Sequence, residues 1–292
     1  MYKLVAIDLD GTLLDSYGKV SQENQEIIRQ IEKENIKVVI ASGRNKFSAM
    51  SFTKEINSNE YLICNNGATL YDIKNEKNIY NNAIDKKKAL DIIKICEENS
   101  IFYSIYTDDY IIAKTLSYHV LYLANENNNT IDESRTKIKI TNNIYDYINE
   151  NNVNVLKMNI CDDNKIIFER IINKLKEIKE VNVLDVEHMS RKVIKTGTEE
   201  NTIEYFYTEI TAENVDKWYA IEKLINILHL KKEEVIAIGD NVNDKNMIEN
   251  AGVGVIMKNA APYLKEFADY ETESNNNSGV AKAIKNLILK NE

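Results

Sequence analysis

The sequence predicts an α/β protein in which a parallel β-sheet carries helices and is interrupted by an inserted α+β module. Three observations lead there. Strand-like and helix-like patterns alternate over the first 64 residues, the same alternation returns from about Trp218 to the end, and the stretch between about 83 and 201 follows a different pattern. At 292 residues the chain is long enough to bury a full core and to hold two domains.

Each element has its own signal. Residues 4–9 are a run of branched apolar side chains that reads as a buried strand, and Ile27, Ile28 and Ile31 mark one face of the helix that follows. A strand at 38–41, a helix near 46–56 and a strand at 61–64 complete the first part; such βαβ repetition implies parallel strands. In the middle, a helix over 86–98 places Ala89, Ile92, Ile93 and Cys96 on one face. A hairpin-like pair at 102–106 and 110–113 turns through Asp108-Asp109, and a helix over 166–178 lies between strands at 155–160 and 181–186. The last part has a helix carrying Trp218, Ile221, Leu224, Ile225 and Leu228, a strand at 235–238, a short helix from about Asn243, a strand at 253–257 and a terminal helix from Val280. The predicted division is therefore 1–82 with 202–292 as one α/β domain, and 83–201 as the insert.

Composition narrows the function. Net charge is -9, which argues against a nucleic-acid-binding face, whereas a small phosphorylated ligand held by local cations or a metal stays compatible. The three cysteines, Cys64, Cys96 and Cys161, form no CxxC pair and read as buried free thiols of a cytoplasmic protein. His119, His188 and His229 are scattered, so zinc is not expected. No signal peptide is expected, and no apolar run reaches the about 18 residues of a membrane span. The Asn-rich patches 125–129 and 275–277 read as surface loops. Nothing in the sequence sets an oligomeric state.

The first strand stops on two carboxylates, Asp8 and Asp10. If the strand persists through Asp10, both leave the same face and repel, which calls for a shared proton or a cation. The alternative is a polar Asp-Gly turn with no chemistry. Three further polar clusters stand where core strands end: Ser42-Gly43-Arg44, Asn65-Asn66-Gly67-Ala68, and Gly239-Asp240-Asn241-Val242-Asn243-Asp244. In an open parallel sheet all such ends lie along one edge, where ligands bind. Taken singly, Ser42 reads as a cap for the following helix, and Asn243 or Asp244 as a cap for the next. Asp240 adds a third carboxylate to that edge, and Mg²⁺ would relieve the repulsion with oxygen ligands. Lys217 stands at the start of a helix, where the macrodipole disfavours a cation by about 0.3–1 kcal/mol; a nearby phosphate would explain it.

Asp8-Leu9-Asp10-Gly11-Thr12, Ser42-Gly43-Arg44, Lys217 and Gly239–Asp244, in that order, closely resemble the four motifs of the haloacid dehalogenase (HAD) superfamily. The insert lies between the second and third motifs, which is similar to the type-C2 cap arrangement. Asn66-Gly67-Ala68, Lys258-Asn259-Ala260, Ala268-Asp269-Tyr270 and Ser278-Gly279-Val280-Ala281 resemble the Cof-type, C2B-capped phosphatases in particular. The resemblance covers essentially the whole chain and implies a Rossmann-like core with an α+β cap.

It also implies roles. Asp8 would be the nucleophile that forms an aspartyl phosphate, and Asp10 the general acid and then base. Mg²⁺ would bind Asp8, the Asp10 backbone carbonyl and Asp240. Ser42, Lys217 and Asn243 would hold the phosphoryl oxygens. Asp244 would orient Lys217 or a metal-bound water, Thr12 would support the loop and Asp10, and Gly43, Arg44 and Asn66 would be supporting residues. The implied activity is Mg²⁺-dependent hydrolysis of small phosphorylated metabolites, sugar phosphates first, under a cap that closes over the site. A sugar phosphomutase and a non-catalytic phosphometabolite-binding protein are the alternatives.

Two features depart from the resemblance. Trp218 follows Lys217 where a glycine is usual, and its bulk bears on the placement of Lys217. The segment 190–201, with Arg191, Lys192 and Lys195, is longer and more basic than expected and reads as a solvated loop rather than a substrate-anion contact.

Overall fold

The computed structural model describes residues 1–129, 135–184, 190–196 and 199–289. It divides into two compact units, Met1–Asn81 with Asp216–Glu292, and Asn82–Val215.

The first unit is built on β1 (Leu4–Ile7), α1 (Gln22–Lys33), β2 (Lys37–Ala41), α2 (Lys46–Glu55), β3 (Tyr61–Cys64), β4 (Thr69–Asp72) and β5 (Lys77–Asn81). The second contains α3 (Lys86–Glu98), β6 (Phe102–Tyr106), β7 (Ile111–Ala113), α4 (Tyr118–Glu126), β8 (Ile138–Ile140), α5 (Ile144–Glu150), β9 (Lys157–Asp162), α6 (Lys165–Leu175), β10 (Val181–Val183), β11 (Ser190–Thr196) and β12 (Glu199–Ala212). The chain then returns to the first unit with α7 (Lys217–Ile227), β13 (Val235–Gly239), α8 (Lys245–Asn250), β14 (Val253–Met257), β15 (Tyr270–Thr272) and α9 (Gly279–Ile284).

The first unit's sheet has the order β15-β14-β13-β1-β2-β3-β4-β5. It is parallel from β15 to β3, as the βαβ rhythm requires, and ends in an antiparallel edge of β4 and β5. Alternating side chains feed two cores. Val5 and Ile7 pack with Ile28 and Ile31 of α1 and Ile284 of α9, while Leu4 and Ala6 pack with Ala220, Ile221 and Leu224 of α7. Strand order reverses at β1, whose neighbours are β13 and β2, so the crevice at its C-terminal end is the topological switch point.

The second unit's sheet runs β10-β12-β9-β6-β7-β8, with β11 paired to β12. Its pairs are antiparallel except β7 with β8. The α+β character of the insert is thus present, and its expected helix over 86–98 and hairpin at 102–113 form.

The structure differs from the sequence-based expectations in several places, among them the following. The first strand ends at Ile7 rather than Leu9. The β4–β5 hairpin was not expected. Residues 202–215 belong to the second unit instead of the first, because β12 pairs with both β9 and β10. In the basic segment 190–201 the described residues 190–196 and 199–201 are not a loop but lie in the antiparallel pair β11 and β12, with Arg191 on Glu204 at 3.2 Å. His188 and the end of the strand expected at 181–186 lie outside the described residues.

Asn24 ties the loop after β1 to the C-terminal helix. It is fully buried; its Nδ2 donates to Leu13 O at 3.4 Å, and its Oδ1 accepts from Ala281 N–H at 2.9 Å. Asn24→Ala leaves a buried donor and acceptor unpaired and should lower unfolding stability by about 1–3 kcal/mol. Urea denaturation checks this, and an unchanged midpoint would contradict it.

Candidate active site

The four polar clusters meet because β13, β1, β2 and β3 are adjacent and in register, Ile7 facing Ile238 on one side and Ile40 on the other, and Ala41 facing Ile63. Asp240, Asp8, Ser42 and Asn65 each follow the last residue of one of these strands, so all four start from one sheet edge.

At the centre lies Lys217, fully buried, although it is the first residue of α7. Its Nζ donates to Asp8 Oδ1 at 2.5 Å and to Asp244 Oδ1 at 2.6 Å. Asp244 is also fully buried, and its Oδ2 accepts from the backbone N–H groups of Asp240 and Asn241, each at 3.0 Å. Asp240 is held by Thr12, whose hydroxyl donates to Oδ1 at 3.0 Å. Thr12 therefore supports Asp240 and not Asp10. Gly11, at φ +86°, makes room: a Cβ there would lie 2.3 Å from Asp240 Oδ2. Trp218 leaves Lys217 in place, its own ring packing partly buried against the α7 side of the sheet.

Asp8 and Asp10 do not share a strand face. The Asp8 N–H still reaches Ile238 O at 3.0 Å, but Leu13 N–H then bonds Asp8 O and Leu14 N–H bonds Leu9 O, at 3.2 and 2.9 Å, curling the chain away. Asp8 is buried while Asp10 is exposed and gripped by Arg44, with Nε to Oδ2 at 2.7 Å and Nη2 to Oδ1 at 2.6 Å.

The charges are unbalanced. Burial holds the Asp8 carboxyl well above the usual carboxylate range; Asp244 adds to this, Lys217 opposes it, and Asp240 and then Asp10 add smaller amounts. The carboxyl of Asp240 is pushed up to about 7, first by burial and then by Asp244, against the pull of Thr12 and Lys217. Burial works against the Lys217 ammonium, yet Asp244 and Asp8 together hold its pKa above the ordinary lysine value. One oxygen each from Asp8, Asp240 and Asp244 falls within 4.8 Å of the others. An all-carboxylate donor set with surplus negative charge fits a hard cation such as Mg²⁺. Both oxygens of Asp244 are already engaged, which leaves Asp8 and Asp240 to hold it.

A second cluster adjoins. Ser42 is buried, and its Oγ accepts from Arg44 N–H at 3.2 Å. It does not cap α2; Asn45 does, accepting from Ser48 N–H at 3.0 Å. Asn243 Nδ2 donates to Asn66 Oδ1 at 3.1 Å, and Asn66 lies against Gly43. Every residue expected at the site from the sequence is thus at this edge, with Asp10 and Arg44 forming an outer pair.

The sequence profile of the haloacid dehalogenase-like hydrolases matches residues 5–284. The chain belongs to that family. The hydrolase is 32% identical to Phosphatase YwpJ of Bacillus subtilis over 98% of its own length and 100% of the relative's. It is 29% identical to the 5-amino-6-(5-phospho-D-ribitylamino)uracil phosphatase YwtE of the same organism, over 98% of both chains. Its fold is similar to that of a haloacid dehalogenase-like hydrolase from B. subtilis, with a TM-score of 0.81 and 27% identity over 98% of this chain and 100% of that one.

Two residues that the sequence placed in a family-like stretch or a surface patch, without a role at the site, also reach it. Asn259 Nδ2 donates to Gly11 O at 2.8 Å and approaches Asp240 Oδ2 at 3.4 Å, and its Oδ1 accepts from Asn275 N–H at 3.0 Å. Asn275 Nδ2 in turn donates to Leu14 O at 2.9 Å, so the patch at 275–277 braces the loop of Asp10 rather than being a plain surface loop. Asn259 lies two residues beyond the end of β14, and the strand-end rule that found Asp240 would have found it too.

Asp240 holds its proton more tightly folded than unfolded, so the metal-free hydrolase should lose stability as pH rises from about 4 through about 7. A divalent cation competes with that proton. Mg²⁺ should therefore raise Tm more at about pH 8 than at about pH 5.5 relative to EDTA. Thermal melts under the four conditions check this, and equal shifts at both pH values would contradict it.

Proposed function

We propose that this hydrolase is a Mg²⁺-dependent phosphatase of small phosphorylated metabolites, sugar phosphates first, acting through an aspartyl phosphate on Asp8. The observation that carries the proposal is the state of Asp8. Lys217 pins its Oδ1, while among the described residues no donor reaches Oδ2, which leaves one oriented oxygen of a largely buried carboxyl group to attack.

In the first step Asp8 Oδ2 bonds to phosphorus, the bond from phosphorus to the leaving oxygen breaks, and Asp10 gives that oxygen a proton. In the second, water attacks the phosphorus of the acyl phosphate and gives its proton to Asp10; inorganic phosphate leaves and the Asp8 carboxylate is restored. The Ser42 hydroxyl, the Lys217 ammonium and the remaining N–H of Asn243 donate to the phosphoryl oxygens. Held by Asp8, the Asp10 backbone carbonyl and Asp240, Mg²⁺ would supply positive charge against the transferring group. Arg44 donates to both oxygens of Asp10, so Asp10 has to release at least one of these contacts to carry the proton.

YwtE is named for a phosphoribityl substrate, which supports phosphorylated sugars and polyols as the class to test first. Three free, buried thiols, Cys64, Cys96 and Cys161, support a reducing cytoplasmic location. No described helix is long and apolar enough to cross a membrane.

Phosphate release from p-nitrophenyl phosphate with Mg²⁺ tests the proposal. Asp8→Asn should lower kcat by about a thousandfold or more. Absence of turnover by the wild type across a broad panel of phosphate monoesters would overturn it.

A further inference from the structure

The turn between β3 and β4 is joined to two of the other polar clusters and to the start of α7 at once. Asn65 N–H donates to Arg44 O at 2.9 Å, and Asn66 N–H donates to Ser42 O at 3.1 Å. Asn66 Oδ1 accepts from Asn243 Nδ2 at 3.1 Å. Gly67, at φ +95°, lets the start of α7 press against the turn: a Cβ there would lie 2.0 Å from Asp216 O and 3.1 Å from Lys217 N. No residue of this turn is among those to which the phosphatase mechanism gives a chemical step.

Asn66 is the member whose side chain reaches another cluster. It is 7% exposed and sits at φ 58°, ψ 29°, a region that asparagine enters more readily than other residues with a Cβ. Its amide oxygen is backed by Gly43, where a Cβ would come within 2.7 Å of it and push it from its place. Asn243 is half-exposed, and without that oxygen its amide would be free to rotate.

We propose that Asn66 is a positioning residue of the phosphate site. Its Oδ1 takes one N–H of Asn243 and so directs the other, while its own N–H fixes the Ser42 carbonyl, holding the two phosphoryl donors as one unit. The proposal rests on the phosphatase reading of the same edge. It extends that reading by making the two donors interdependent through a residue that itself contacts no phosphate.

Asn66→Gly is the informative variant, because glycine keeps the left-handed backbone and removes only the amide. Inorganic phosphate binding in the presence of Mg²⁺ is measured by calorimetry on wild type, Asn66→Gly, Asn243→Ala and the double variant, beside hydrolysis of p-nitrophenyl phosphate. Asn66→Gly should weaken phosphate binding on the order of tenfold, nearly as much as Asn243→Ala, and the double variant should bind no more weakly than Asn243→Ala alone. Gly43→Ala, which displaces the amide from the opposite side, should give the same loss and the same lack of further loss when combined with Asn243→Ala, so a folding defect of one variant leaves the other to decide. Wild-type affinity in Asn66→Gly, or losses that multiply in the double variant, would overturn the positioning role while phosphatase activity stands. A wild type that neither binds phosphate nor hydrolyses the ester would overturn the phosphatase reading, and this role with it.

Discussion

The site depends on one buried ammonium. Lys217 Nζ lies between Asp8 and Asp244 with no exposure to water, and losing the ammonium would leave two buried carboxylates facing each other uncompensated, at a cost of about 3–5 kcal/mol. The macrodipole at the start of α7 opposes a cation by about 0.3–1 kcal/mol, far less than two contacts at 2.5 and 2.6 Å return in a dry environment. Lysine is therefore held at this helix end by its partners, not in spite of them. The helix cap remains with Asp216, whose carboxylate accepts from Tyr219 N–H at 2.7 Å.

That pairing organises the residues around it. Asp244 answers Lys217 with one oxygen and the backbone of 240–241 with the other, which fixes the Asp240 carboxylate beside Gly11. Asp8 answers Lys217 with one oxygen and keeps the other open. Burial first, and then the negative surplus of three carboxylates over one ammonium, raises the proton affinities of Asp8 and Asp240, and a divalent cation would relieve that surplus. The same surplus would repel an anionic substrate, so in the proposed reaction the cation and the donors Ser42, Lys217 and Asn243 would together have to offset it.

Much of this was legible in the sequence, for a physical reason. Asp8, Ser42, Asn65 and Asp240 directly follow apolar runs that had to be buried parallel strands, and parallel strands end on one edge. What failed depended on local continuation or on distant pairing. The same-face argument for Asp8 and Asp10 needed the strand to run on, whereas Gly11 at positive φ and the bonds back to Asp8 and Leu9 turn it aside. The carboxylates that most raise Asp8 come instead from far along the chain, with Asp244 first. Ser42 and Asn45 are both good caps, and only the start of α2 at Lys46 decides between them. The grip of Arg44 on Asp10 spans 34 residues, and that of Thr12 on Asp240 spans 228; neither has a sequence-local signal. The 202–215 segment went to the wrong domain because a strand's pattern does not name its partners.

In the proposed reaction Asp8, paired with Lys217, is the residue that becomes phosphorylated. Borohydride reduces an acyl phosphate to an alcohol, so an enzyme quenched with it while turning over a phosphate monoester records whether the intermediate forms. Peptide mass spectrometry should then recover Asp8 as homoserine in wild type and as unmodified Asp8 when substrate is withheld. Unmodified Asp8 in an enzyme that is releasing phosphate, with the reduced residue found elsewhere or nowhere, would contradict it.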